Sequence, residues 1–333
     1  MGKQVKTPRF YVDMVTFLHA TGQLGWDSGN GGAELLYMNC ANPYLGTSFQ
    51  IGVDDNIKTS FPINFCALLN HNLAGTGITI NGNGTEIIPT ASVINYDNSS
   101  GITYNGTSIF LLTEDNQVWE KFTIEQVLQG DEAATSKQLG SFVVGKYFDC
   151  PNSPDLNLTM SRRFDGIKRQ KTIGGKTLAN IYYDGPTEWT MNNVDGTTYK
   201  YPPFELDTTD SSQFDQRVKS GLGRKGLRSW DLTFSYISES NMWIDHEVSN
   251  TIVSDNTDFT NTEPNPMLSD NSFNFVWNCT LGGTLPFIFQ PDNSEDGRNP
   301  DRFSICNFRD NTFNVEQVAP NIYNVSMTID EIS

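Results

Sequence analysis

The closing stretch Asn321-Ile-Tyr-Asn-Val-Ser-Met-Thr-Ile-Asp-Glu-Ile332 alternates by residue. Tyr323, Val325, Met327 and Ile329 fall on one parity. Asn324, Ser326, Thr328 and Asp330 fall on the other, with Ile322. Side chains two apart share a face in an extended chain, so this is a half-buried antiparallel strand with one apolar and one wet side.

The same signature recurs upstream. Arg302–Phe308, Phe313–Val318 and the short apolar run Leu285–Gln290 read as strands. Trp230–Ile237 reads as another, with Leu232, Phe234 and Tyr236 on one face. Thr47–Val53, Ile63–Leu69, Gly77–Asn81, Ser108–Leu112, Trp119–Ile124 and Leu139–Tyr147 complete the set, each bounded by Gly, Asn, Asp or Pro. Gly82-Asn-Gly84 and Asn98-Ser-Ser-Gly101 suit hairpin or loop tips. Strands at about ten-residue spacing predict a jelly-roll-like β-sandwich in the first part of the chain.

Two helices are predicted. One starts after Ser238 and carries Ile244, Val248 and Ile252 at helical spacing. The other is capped by Ser272 or Asp270, buries Phe273, Val276, Trp277, Thr280 and Leu281, and stops at Gly282-Gly283. The polar stretch Gly130-Asp-Glu132 marks a domain boundary, giving a β-sandwich over 1–135 and a β-domain with two short helices over 136–333. Thr190–Pro203 reads as a long loop within the second part. The fold class is therefore mainly β.

The chain has 333 residues, with 39 acidic and 22 basic side chains and a net charge of −17. Charged residues make up 18%, below the roughly 25% of an average soluble protein. Asparagine, at 33 residues, takes much of the polar share, which suits a turn-rich surface. Aromatic residues, at 12%, argue against disorder. The acid excess disfavours nucleic acid and anionic membranes as partners. The apolar part of the first twenty residues is broken by Asp13 and His19, so it is neither a signal h-region nor a span. Five cysteines, at 40, 66, 150, 279 and 306, are widely spaced without a CxxC, and read as buried free thiols in a reducing compartment.

No motif carries chemistry. His19, His71 and His246 lie far apart, and none has metal-ligand spacing. His71, with Asn70 and Asn72, is expected to bond the backbone of a turn. Asp292-Asn-Ser-Glu-Asp-Gly297 matches the start of a calcium loop, but Phe303 stands where the bidentate Glu is required. It reads as a solvated acidic loop. Gly174-Gly-Lys176-Thr177 lacks the first glycine of a phosphate loop and reads as a hairpin tip. Gly221-Leu-Gly-Arg-Lys-Gly226 precedes a strand, so the dinucleotide reading fails. Neither an enzyme, a cofactor nor a metal is expected.

The placement of charge says more. Between Arg162 and Arg228 the chain holds twelve cations and eight acids, +4 net, which leaves −21 for the remainder. A basic middle on an acidic chain suits self-association, one subunit's basic loop meeting its neighbour's acidic surface. The hairpin around Arg162–Lys176 and the loop Val218–Arg228 are the candidate contacts. The residues concerned are Arg162, Arg163, Lys168, Arg169, Lys171, Lys176, Arg217, Lys219, Arg224, Lys225 and Arg228.

Four segments resemble structural proteins of tailed-bacteriophage tails, of the distal-tail or baseplate type. They are Phe65-Cys-Ala-Leu-Leu-Asn-His-Asn-Leu73, Leu139-Gly-Ser-Phe-Val-Val-Gly-Lys-Tyr-Phe-Asp149, Gly174-Gly-Lys with Arg228–Ile237, and Gly282–Asp292 with the closing strand. The resemblance implies a virion structural protein without an active site. It implies a homo-oligomeric ring around the tail axis, joined to other virion tail proteins, located in the virion and assembled in the host cytoplasm. The C-terminal part would be tail-tube or distal-tail-like. The N-terminal sandwich would be similar to a carbohydrate-binding module. A rival reading makes it a receptor-recognition module that holds host surface glycans on its Tyr, Trp and Asn residues.

Overall fold

The computed structural model describes residues 5–22, 33–36, 38, 44–46, 48–52, 63–71, 73, 77–82, 85–87, 89–97, 101–102, 106–115, 121–127, 137–163, 167–181, 226–244, 271–295, 298 and 302–332. In chain order its strands are β1 (Arg9–Asp13), β2 (Tyr44–Gly46), β3 (Ser48–Gly52), β4 (Ile63–His71), β5 (Gly77–Gly82), β6 (Thr85–Ile87), β7 (Pro89–Ile94), β8 (Tyr96–Asp97), β9 (Gly101–Ile102), β10 (Gly106–Asp115) and β11 (Lys121–Val127). There follow β12 (Lys137–Leu139), β13 (Ser141–Asp149), β14 (Thr159–Arg163), β15 (Ile167–Lys171), β16 (Thr177–Ile181), β17 (Leu227–Ser238), β18 (Phe287–Gln290), β19 (Ser304–Phe308), β20 (Asn314–Ala319) and β21 (Ile322–Glu331). The described α-helices are short: α1 (Met14–Ala20), α2 (Glu239–Met242) and α3 (Phe273–Cys279). The chain is mainly β, as the alternation predicts.

Eleven strands form one antiparallel sheet in the order β14-β17-β21-β19-β18-β1-β13-β4-β10-β7, with β20 added to β21. Smaller sheets are β3-β11-β5-β6, β12-β2, β15-β16 and β8-β9. The large sheet crosses the boundary expected at 130–132, whose own residues lie outside those described. β13, from beyond it, sits between β1 and β4, from before it.

Successive side chains of the central strands enter different cores. Phe10, Val12, Cys66, Leu68, Phe142, Val144, Phe287 and Phe289 join α1 and α3 on one face. Tyr11, Phe65, Ala67, Leu69, Val143 and Ile288 pack on the other. A strand buried on both faces has no wet parity, so it reads as an unbroken apolar run. At the sheet's far end β21 keeps a wet side: Val325 and Ile329 are buried, and Ser326 between them is exposed.

Asp13 and His71 are two polar groups in this interior that are bonded. Asp13 ends β1 and caps α1, accepting from the amides of Val15 (3.0 Å) and Thr16 (3.3 Å) and from the Thr16 hydroxyl. Its burial pushes its pKa up to about 7, against those hydrogen bonds. His71 is buried too. Its Nδ1 accepts from the Leu73 amide (3.2 Å), as expected of the turn, so Nε2 carries the proton and donates to Ser108 Oγ at 2.9 Å. Desolvation lowers its pKa to about 3.

Three local expectations are corrected. The β17–β21 ladder shifts register between Phe234 and Ile237. Tyr236, at φ 59°, is thereby turned out to solvent, and Ile237 takes the inner position. α2 ends at Met242, with Trp243 extended; Val248 and Ile252 lie outside the described residues. α3 is capped by Ser272 Oγ, which accepts from the Phe275 amide at 3.1 Å. It buries Phe273, Asn274, Phe275, Val276 and Cys279, and Thr280 after it is buried as expected, while Trp277 is only partly buried and Leu281 is exposed. Gly283 closes that turn at φ 86°, where a Cβ would meet the Phe308 Cβ at 2.6 Å.

Candidate subunit-contact surface

Among the described strands β14 ends the large sheet, bonded on one side to β17. Its five residues are all exposed, Arg162 and Arg163 among them. Charge on an open edge discourages indiscriminate strand pairing. Leu156 and Met160, next to and within β14, are exposed apolar groups.

β15 and β16 form a hairpin that pairs with no other described strand. Its tip is tight. The Thr172 amide donates to Lys176 O (2.9 Å), the Lys176 amide donates to Thr172 Oγ (3.1 Å), and Gly175 takes φ 79°. Gly174-Gly-Lys176 is thus the hairpin tip that its sequence predicts. Residues 169–179 are all exposed, including Arg169, Lys171 and Lys176. Lys168 lies on β15 opposite Asn180. Ile173 stands fully exposed at the tip and Leu178 more than half exposed on β16. The basic pattern did not point to these apolar residues. The signal was there, since Ile173 is an apolar residue inside a turn, with no core to enter.

The other candidates separate from this surface. Arg217, Lys219, Arg224 and Lys225 lie outside the described residues. Arg228 is corrected: it is buried. Its backbone N–H donates to Glu331 Oε2 (2.9 Å) and its guanidinium to Glu331 Oε1 (3.1 Å), Phe303 O (2.6 Å) and Ser304 Oγ. It also lies 5.0 Å from the Trp230 ring. Burial pulls its pKa down, and the Glu331 carboxylate works against that. Arg228 shares the inward parity of Trp230, Leu232 and Phe234, which is why it faces a core and not a neighbour.

The acidic loop is also corrected. Asp292 is buried, not solvated. Ser294 donates to it through N and Oγ, and Lys6 Nζ (3.2 Å) and Arg302 Nη1 (3.5 Å) pair with it. Desolvation would raise its pKa, but these partners hold it below its ordinary value. Lys6 and Arg302 supply the counter-charge to this carboxylate. Among the described residues no group of three or more His, Cys, Asp or Glu is placed to hold a metal.

Cys66, Cys150, Cys279 and Cys306 are free and buried; Cys40 lies outside the described residues. Of the GxGxxG spacing only Gly226 is described, and β17 follows it directly. Among the described residues no helix is long and apolar enough to cross a membrane. No family model, no curated protein and no solved structure matches the chain.

Proposed function

We propose that this chain is a structural protein that assembles with copies of itself, the β15–β16 hairpin and the β14 edge forming the contact. One observation carries the reading: a hairpin with exposed cations and an exposed apolar tip projects from a chain that is otherwise strongly acidic. Like-charged surfaces repel except where such an arm can dock. The sequence resemblance extends the proposal to a ring in the tail or baseplate of a tailed phage, bonded to other tail proteins. In this reading residues 1–135, jelly-roll-like, bridge outward, and residues 136–333 line the ring. The two parts share the large sheet through β1, β4 and β13.

Sedimentation velocity and electron microscopy of the purified chain test this. Closed oligomers are expected at low salt, dissociating as salt rises. A monomer at millimolar concentration and low salt would sink the proposal.

A further inference from the structure

The hairpin needs an acceptor, and the sheet offers one. Between β17, β21, β20 and the chain that follows β19 lies an open cavity of about 150 Å³. Trp277, Phe308 and Met327 supply its apolar wall. Asp231 and Asp310 supply carboxylates, and among the described residues no Lys, Arg or His lines it. Asp231 is held in place by the Thr328 hydroxyl, which donates to it at 2.8 Å. The cation beside the cavity, Arg309, bonds Asp330 at 2.7 Å and Ser229 Oγ, and also feels the charges of Asp231 and Asp310.

This lining selects its guest by chemistry. Two carboxylates without a lining cation disfavour phosphate, sulfate and acidic sugars. An apolar wall beside carboxylates suits a group with a hydrocarbon stem and a cationic head, which is the anatomy of a lysine side chain. Within six residues the hairpin tip presents both properties, with Ile173 apolar and fully exposed and Lys171 and Lys176 exposed cations. No ion pair joins Lys171 or Lys176 to another described residue.

We infer that this cavity receives the hairpin tip of a second copy of the chain, with Lys176 set against Asp310 and Asp231 and Ile173 against the apolar wall. The inference rests on the proposed self-assembly and names its acceptor. Tip and cavity are different patches of one chain, so the contact is heterologous. Such a contact repeats from subunit to subunit until the rotation closes.

A charge-reversal cycle on the full chain tests it, with self-association read by sedimentation velocity. Lys176 and Asp310 both lie at exposed loop positions, so Lys176→Glu and Asp310→Lys should fold; far-UV circular dichroism checks this. Each single reversal is expected to weaken association at least about tenfold, and the double reversal to restore most of it. If Asp310→Lys and Asp231→Asn assemble as wild type does while Lys176→Glu does not, the hairpin docks elsewhere and the cavity assignment falls alone. A double variant as weak as the worse single also overturns the cavity. If the wild-type chain stays monomeric up to millimolar concentration, the assembly reading falls and takes this inference with it.

Discussion

Glu331 Oε1 lies 3.1 Å from Arg228 Nη2, and the two side chains are 1% and 4% exposed. They sit side by side on β21 and β17, next to the cross-strand pair Ser229 and Asp330. Burial disfavours both charges, raising the Glu331 pKa and lowering that of Arg228. Their mutual attraction and the bonds to Phe303 and Ser304 offset that cost. Removing one partner leaves a buried charge alone, so Glu331→Ala should cost about 3–5 kcal/mol. Replacing both, as Arg228→Met with Glu331→Leu, should cost less than the single change. Urea midpoints of the two variants check this; a double variant less stable than Glu331→Ala would refute it.

The pH dependence of stability should hide two opposed contributions. Asp13 has an ordinary pKa of 3.8 and about 7 in the fold, so the folded state holds its proton longer. Its contribution is full below about pH 4 and is lost as pH rises through 7. His71 has an ordinary value of 6.5 and about 3 in the fold. Its contribution is full above about pH 6.5 and is lost as pH falls toward 3. Each spans on the order of 4 kcal/mol, and between pH 4 and 6.5 the slopes cancel. Asp13→Asn keeps a capping oxygen but removes the titration. Its stability relative to wild type should therefore rise from pH 4 to pH 8, by denaturant midpoint. A constant difference would disprove the shift.

Gly145 stands where β13 passes the junction of β1 and α1. A Cβ there would lie 2.0 Å from Val12 O and 2.9 Å from Met14 N, both backbone atoms. Gly145→Ala must push β1 off β13, and should cost about 3 kcal/mol. At Gly174 a Cβ would meet nothing within 4 Å, so alanine should be accepted there within about 0.5 kcal/mol. Melting temperatures of the two variants give the comparison.

Burial pushes the thiol pKa values of Cys66, Cys150, Cys279 and Cys306 upward. These four should resist an aromatic disulfide reagent in the folded protein at neutral pH and react once denaturant is added. Mass spectrometry of the labelled peptides identifies which respond. Rapid native labelling of any of the four would contradict their burial.

Local pattern told the class and most strands, because alternation records which side chains face inward. It did not tell partners. Nothing in Phe10-Tyr-Val12 announces that it lies between β13 and β18, since pairing over long separations leaves no local trace. Arg228 shows the reverse failure. Its fate was legible in the inward parity of Trp230 and Leu232, yet its neighbours in sequence, Arg224 and Lys225, made it read as part of a surface patch. Tyr236 was misplaced for a third reason, because one extra residue in a ladder inverts every later position. Ile173 and Leu178 of the candidate contact surface are exposed apolar residues, which charge placement does not mark.

The place of β1 in the large sheet has a consequence for synthesis. Tyr11 bonds Gln290, 279 residues later in the chain. β1 leaves a ribosome well before β18, one of its two neighbours in the sheet. At about 5–20 residues per second that is a wait on the order of tens of seconds, with an apolar strand edge unpaired. The two sides of the sheet can begin to collapse apart, but neither can be sealed until the C-terminal strands arrive. For that interval the nascent chain carries one edge of β1 open, and the middle of the sheet closes only when β18 meets it.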